Sequence, residues 1–216
     1  MSAQPTLVTR DHFRYLAERT RTDDALLSEL LREAAASGIP KIQIAPAQAS
    51  FMQILLKAIR ARVVVEVGTL AGYSAIWMAR ALPAEGRLHT IEIERRHADF
   101  AERWIAKSDV KDRIQVHRGS GQDVLQTLPS ESADAAFLDA DKQSYPIYLA
   151  ECLRIVRPRG LIMVDNAFAF GELFASEARD RETQAIRDFN DLVARTAGLH
   201  AVIVPLGDGL WVGVKD

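Results

Sequence analysis

From residue 62 onward, short apolar runs rich in valine, isoleucine and leucine alternate with amphipathic segments that have a helical period. Such runs are typical of parallel strands that are buried on both faces, and their alternation with helices is typical of a doubly wound α/β sheet. The pattern predicts five parallel strands, over residues 63–67, 87–93, 114–117, 135–138 and 161–164. The intervening helices are predicted over residues 73–81, 97–106, 124–128 and 145–156.

The end of the chain departs from this alternation. A predicted helix over residues 181–196 is followed by AVIVPL and LWVGV, which are joined by GDG and are predicted to be two strands with a tight connection. A dinucleotide-binding domain usually continues with another crossover helix, whereas a final antiparallel strand in the sheet is typical of methyltransferases.

Three helical segments are predicted before the first strand, over residues 11–18, 22–37 and 50–61. Thr22 is the predicted N-cap of the second, and Gly38 lies just beyond its end. The two prolines of IPKIQIAPAQ disfavour a regular helix before the third. We expect one domain over residues 1–216, in which 1–60 form a helical cap on a 61–216 core.

The composition restricts partners and location. The 27 basic and 29 acidic side chains give a net charge of −2, so no strong positive field would attract nucleic acid. The N-terminus lacks the basic and apolar regions of a signal peptide, and no apolar run reaches the roughly 18 residues of a membrane span. We expect a cytoplasmic protein, in which the lone Cys152 has a packing role.

The segment VVVEVGTLAGYS places Glu66 and Gly68 at the carboxyl end of the first strand and Gly72 about one turn later. This is the crevice where open α/β sheets bind ligands, but the spacing differs from a dinucleotide fingerprint and an acid precedes the first glycine. A carboxylate there would repel a pyrophosphate and would suit an ammonium and a sulfonium group. Ser74 and backbone N–H groups could hold a carboxylate. S-adenosyl-L-methionine carries all three groups.

The second strand ends HTIEIE, about where an acid conventionally accepts both ribose hydroxyls of a nucleotide. Glu92 and Glu94 are both candidates. Strand alternation places them on the same face, so the pattern leaves the choice open.

Oxygen donors follow two other predicted strands. Asp139 lies in FLDADK, and Asp165 with Asn166 lies in MVDNA. Adjacent strand ends are about 5 Å apart, so the three side chains can converge on a hard cation such as Mg²⁺, with Mn²⁺ or Ca²⁺ as alternatives. Each aspartate taken singly could instead be a helix N-cap.

Five motifs together resemble the metal-dependent O-methyltransferases that include catechol O-methyltransferase and the plant caffeoyl-CoA O-methyltransferases: EVGTLAGYSA, TIEIE, GSGQDVL, FLDADK and VDN. The resemblance runs from about Ile42 to the C-terminus. It implies an α/β, Rossmann-like class I methyltransferase fold, with a mostly parallel seven-stranded sheet, helices on both faces, an antiparallel C-terminal strand and additional N-terminal helices. It also implies that these N-terminal helices either cover the active site or build a homodimer. The implied reaction transfers a methyl group from S-adenosyl-L-methionine to a hydroxyl of a catechol-like small molecule.

The resemblance also implies site residues. Glu92 would take the ribose, Gly121 and Gln122 would border the adenine, and the metal ligands would be Asp139, Asp165 and Asn166. The full implied cofactor set is Ile42, Ile44, Glu66, Gly68, Thr69, Gly72, Ser74, Glu92, Gly121, Gln122, Asp139 and Asp141.

Lys142 matches the lysine credited in catechol O-methyltransferase with taking the hydroxyl proton, and together with Asp139 it forms the implied catalytic pair. A nearby dication and partial burial both disfavour an ammonium ion, which would help that role. The alternative is a surface lysine near a helix start.

The sequence departs from the plant-like pattern after DN, where NAFAFGELF replaces a tryptophan-bearing segment. Phe168, Phe170 and Phe174 could replace that substrate wall or could be ordinary packing. Tyr148 matches a substrate-contacting position but also suits a packed helix face.

Other functions stay open at this point. A tRNA hydroxyuridine O-methyltransferase would need a basic patch near Arg10, Arg14, Arg19 and Arg21. A non-catalytic S-adenosylmethionine-binding interaction protein is a further alternative. Such a protein would not need the two aspartates, the asparagine and the lysine of the implied metal and catalytic sites. A nicotinamide dehydrogenase is disfavoured because the phosphate fingerprint is absent.

Overall fold

The computed structural model describes residues 8–216. Its centre is a sheet of seven strands: β1 Val63–Val67, β2 Arg87–Glu92, β3 Ile114–Arg118, β4 Ala133–Leu138, β5 Val156–Val164, β6 Leu199–Val204 and β7 Leu210–Lys215. The spatial order is β3-β2-β1-β4-β5-β7-β6. The first five strands pair in parallel, and β7 is antiparallel to both β5 and β6. This topology confirms the predicted fold class.

Helices cover both faces of the sheet: α1 Arg10–Ala17, α2 Ala25–Ala36, α3 Pro46–Ala58, α4 Tyr73–Ala79, α5 Arg95–Ile105, α6 Gly121–Thr127, α7 Tyr145–Ile155 and α8 Arg181–Arg195. Side chains alternate across each strand, so Val64 joins one buried cluster while Val65 and Val67 join the other. Cys152 is buried in the second cluster, where burial raises the pKa of its thiol to about 12. Its predicted packing role is confirmed.

Several predicted boundaries were wrong by one to five residues, and three of them have a clear physical reason or consequence. The N-cap of α2 is Asp24 rather than Thr22, because the Asp24 carboxylate accepts the backbone N–H of Leu27 at 2.9 Å. Helix α3 begins at Pro46 rather than at residue 50, since proline is well tolerated at the first helical position. Strand β5 begins at Val156, directly after α7, and passes an irregularity before the predicted start at residue 161.

The predicted helical cap is described from residue 8 onward, and its residues 1–7 lie outside the described part of the chain. Within residues 8–216, no helix is both long enough and apolar enough to cross a bilayer.

Gly68 is the point where the loop after β1 approaches the loop after β4. Its φ of +105° lies in a region that other residues rarely adopt, and its N–H donates to the Ile91 carbonyl at 3.0 Å. A Cβ at this position would overlap the backbone carbonyl of Asp139. Glycine therefore allows the ends of β1 and β4 to close together.

We expect Gly68→Ala to destabilise the fold more than Gly198→Ala, its matched control. Gly198 also has a positive φ, of +77°, but a Cβ there meets nothing within 4 Å. In Gly198→Ala, backbone strain alone should lower the free energy of unfolding by about 1–2 kcal/mol. In Gly68→Ala, the overlap of the new Cβ with the Asp139 carbonyl should lower it by roughly a further 1–3 kcal/mol. Urea unfolding of both variants measures the difference, and equal losses would contradict the close approach at Gly68.

Candidate active site

A cavity of about 570 Å³ lies over the carboxyl ends of β1, β2 and β4. Most of the predicted site residues are on its wall: Ile42, Ile44, Gly68, Thr69, Ser74, Glu92, Gly121, Asp139, Asp141, Lys142 and Asn166. The structure therefore brings together residues from distant parts of the chain. This is expected when several of them follow parallel strands that end at the same edge of the sheet.

Glu66 lies behind this wall. Its carboxyl group is fully buried and accepts the hydroxyls of Ser74 at 2.5 Å and Thr90 at 2.6 Å. Burial raises the pKa of Glu66 to about 8, although both hydroxyl donors act in the opposite direction. A role for Glu66 in cofactor binding stays a prediction.

Gly72 and Gln122 also lie outside the cavity wall. Gly72 has a φ of +83° at the N-cap of α4 and packs against Ala101 and Ile105. Gln122 is exposed at the start of α6, next to the cavity-lining Gly121. Their contacts with a cofactor stay predictions.

Glu92 and Glu94, the two acids at the end of β2, lie in different environments. Glu92 is buried at the cavity, and its carboxylate accepts the backbone N–H groups of Leu70 at 2.8 Å and Glu94 at 2.9 Å. Glu94 is the exposed N-cap residue of α5 and does not line the cavity. The strand ends at Glu92, so alternation does not extend to Glu94. This geometry favours Glu92 as the ribose ligand.

Asp139 and Asp165 follow neighbouring strands whose last residues, Leu138 and Val164, are paired in register. Asp165 is buried just behind the cavity-lining Asn166. Burial, together with the charge of Asp139, raises the pKa of Asp165 above its ordinary value. Two carboxyl groups are thus held close together at this edge.

Each side chain of the predicted metal set is held by a side-chain hydrogen bond from another part of the protein. Asp139 Oδ1 accepts Lys142 Nζ at 3.0 Å, and Asp165 Oδ1 accepts Gln48 Nε2 at 2.8 Å. Asn166 Nδ2 donates to Asp208 at 3.3 Å. These side-chain contacts leave the second oxygen of each aspartate and the Asn166 amide oxygen, and a divalent cation would offset the repulsion between the two carboxylates. The donor set therefore fits a hard cation.

The third donor of this set is an amide. An asparagine does not belong to the usual metal-binding set of His, Cys, Asp and Glu. Between residues 8 and 216, no group of three side chains of those four types could hold a metal ion.

Lys142 is buried, which excludes the surface-lysine alternative. Its ammonium group lies 3.0 Å from Asp139 Oδ1 and 2.7 Å from the hydroxyl of Tyr145. Tyr145 is itself buried, and burial raises its pKa well above the ordinary value. Lys142 is thus held in place at the cavity floor.

A family model described as O-methyltransferase matches residues 17–215. The chain belongs to this O-methyltransferase family. A catechol O-methyltransferase of Niastella koreensis is 38% identical over 197 residues, which cover 90% of this chain and 86% of that protein. A catechol O-methyltransferase of Mycobacterium tuberculosis is 35% identical over 192 residues, or 88% and 87% of the two chains.

The fold is also shared with solved O-methyltransferases. The enzyme from Bacillus cereus, solved in complex with SAH, has a TM-score of 0.86 and 34% identity, covering 94% of this chain and 96% of that chain. These matches confirm the predicted family and the predicted enzyme class, an S-adenosylmethionine-dependent O-methyltransferase.

In this O-methyltransferase the three phenylalanines after Asn166 have different environments. Phe170 lines the cavity, Phe168 packs against Gly209, and Phe174 is 94% exposed. Only Phe170 among them is placed to replace the missing tryptophan. Tyr148 also lines the cavity, and its hydroxyl donates to Asp141 at 2.7 Å.

Sequence reasoning missed two residues that contact the predicted metal set, Gln48 and Asp208. Gln48 precedes Met52 and Leu56 by one and two helical repeats on α3, so it lies on their buried stripe. A polar residue on such a stripe was a usable signal. Asp208 lies in GDG, which the sequence predicts only as a turn.

We expect Glu66→Gln to flatten the pH dependence of stability. Between pH 4.5, the ordinary pKa, and about 8, the folded chain keeps a proton on Glu66 that the unfolded chain has lost. The free energy of unfolding therefore falls as pH rises through this window. Glutamine cannot titrate and should remove that contribution. Melting temperatures at several pH values measure it, with the exposed Glu94→Gln as control, and a slope equal to wild type would refute the assignment.

Proposed function

We propose that this O-methyltransferase is metal-dependent and methylates one hydroxyl of a catechol-like or other vicinal-hydroxyl phenol. The observation that carries the proposal is that Asp139 and Asn166 line one cavity beside the buried Lys142, while Asp165 lies directly behind them at the end of the strand next to β4. The two catechol O-methyltransferases at 38% and 35% identity support the choice of acceptor.

S-adenosyl-L-methionine would occupy the part of the cavity between Glu92 and Asp141, where it supplies an electrophilic methyl group. Glu92 would accept the ribose hydroxyls, because two backbone N–H groups already hold its carboxylate. Ser74, Gly68 and Thr69 would hold the methionine end. The SAH complex of the Bacillus cereus enzyme supports this use of the cavity.

Asp139, Asp165 and Asn166 would hold a divalent cation, with Mg²⁺ proposed and Mn²⁺ or Ca²⁺ as alternatives. When bound, such a cation stabilises negative charge on the acceptor oxygen. Lys142 would act in its neutral amine form, which a bound dication favours, and would become an ammonium ion when Nζ takes the hydroxyl proton. Asp139 and Tyr145 hold that atom in place at 3.0 and 2.7 Å. Phe170 would cover the acceptor from the mouth of the cavity.

The proposal includes a small-molecule acceptor, a homodimer and a cytoplasmic location. Two arginines of the N-terminal segment are paired, Arg14 with Asp11 at 3.3 Å and Arg19 with Glu18 at 3.1 Å. This pairing offsets the positive charge that a tRNA acceptor would require, so we favour the small molecule.

Methyl transfer to catechol should stop with EDTA and return with Mg²⁺. Asp139→Ala should lower kcat/KM by at least about 100-fold, the scale for removing a group that stabilises a developing oxyanion. SAH release across a panel of catechols and monohydric phenols measures both effects. The exposed Asp191→Ala is the matched control, and EDTA-resistant turnover or full activity of Asp139→Ala would contradict metal dependence.

Glu92→Gln should weaken SAH binding about tenfold or more, since a hydrogen bond to a charged group contributes about 1.5–3 kcal/mol. Glu94→Gln should leave the affinity unchanged because Glu94 does not line the cavity. Calorimetric titration with SAH measures both, and titration with NAD should show no binding. Equal affinities of the two variants would overturn the ribose assignment.

A further inference from the structure

Asp208 lies in the loop between β6 and β7, beside the segment that follows β5. One of its carboxylate oxygens, Oδ2, accepts both the backbone N–H of Phe170 at 2.8 Å and the side-chain Nδ2 of Asn166 at 3.3 Å. The backbone of the same loop accepts the N–H groups of Phe168 at 2.8 Å and Ala167 at 2.9 Å. The loop thus holds the whole segment from Asn166 to Phe170.

The contact with Asn166 distinguishes the two ends of its amide. An ionised carboxylate can only accept hydrogen bonds, so Asp208 selects the NH₂ end. The amide oxygen is then left for the cavity that Asn166 lines. Without this contact, the amide could present either its NH₂ group or its oxygen, and an NH₂ group cannot ligate a cation.

The backbone of this segment also needs outside support. Asn166, Ala169 and Phe170 have φ values of +67°, +53° and +57°, and none of them is glycine. Each such residue costs about 1–2 kcal/mol relative to ordinary backbone, so tertiary contacts must hold the turn. Asp208 supplies one of them at Phe170, the far end of the same turn.

We infer that Asp208 is a positioning residue for the proposed cation site, which binds the NH₂ end of the Asn166 amide and so leaves its oxygen available to a bound cation. The inference rests on the proposed function, since it concerns the same donor set. Asp208 does not line the cavity, so it acts through Asn166 rather than on the substrate.

Mn²⁺ binding to the full chain, followed by the electron paramagnetic resonance signal of free Mn²⁺, tests this role without turnover. Asp208→Ala should weaken Mn²⁺ affinity about 10–100-fold, the range for groups that orient a metal ligand. Asp208→Asn should retain part of the affinity, because one amide oxygen can still accept both N–H groups. The exposed Asp191→Ala should match wild type, and an unchanged SAH affinity of the Asp208 variants reports an intact cofactor site.

A double-mutant cycle separates positioning from a merely structural effect. Asn166→Gly removes the amide while tolerating the positive φ. If Asp208 acts through Asn166, then Asp208→Ala should cause no further loss of Mn²⁺ affinity in the Asn166→Gly background. If Asp208→Ala does not fold, the same cycle with Asp208→Asn gives the answer.

The outcomes separate this inference from the proposed function. Wild-type affinity in both Asp208 variants, or losses that add to that of Asn166→Gly, would overturn the positioning role and leave the proposed function standing. A wild-type protein that binds no Mn²⁺, Mg²⁺ or Ca²⁺ would overturn metal dependence, and the positioning role with it.

Discussion

The site depends on a ladder of backbone hydrogen bonds that continues one residue beyond the parallel strands. Gly68 N–H donates to Ile91 at 3.0 Å, Asp139 N–H to Val67 at 2.9 Å and Asp165 N–H to Leu138 at 3.0 Å. Each residue that follows a strand is therefore fixed by the strand beside it. Because parallel strands end at one edge, this ladder sets the glycine loop and the two aspartates at that edge.

This arrangement gathers several acidic side chains in a largely buried region, and the protein stabilises each of them in a different way. Burial raises the pKa of Glu66, while backbone N–H groups hold the carboxylate of Glu92. Lys142 pairs with Asp139, and the neutral Gln48 donates to Asp165. The charge left on the aspartate pair is what suits the site to a cation.

Two segments far apart in sequence complete the site from outside the parallel strands. Gln48 comes from the N-terminal helix α3 and packs against Gly207 of the β6–β7 loop while contacting Asp165. The next residue of that loop, Asp208, contacts Asn166. The antiparallel end of the sheet is therefore connected to the proposed chemistry, because its loop supports the segment that carries the amide.

The sequence by itself determined the features that depend on local pattern. Apolar runs and helical periods predicted the sheet and its helices, and parallel strand ends predicted that Asp139, Asp165 and Asn166 converge, since adjacent strands lie about 5 Å apart. Only the tertiary structure separated the environments of Glu92 and Glu94, which strand alternation leaves equivalent, placed Glu66 behind the cavity wall, and revealed Gln48 and Asp208. Those outcomes depend on where a strand stops, on burial, and on contacts between residues that are far apart in sequence. Gln48 and Asp165 are separated by 117 positions, and Asn166 and Asp208 by 42. Periodicity describes only which face a residue occupies on its own element, so it carries no information about such distant partners.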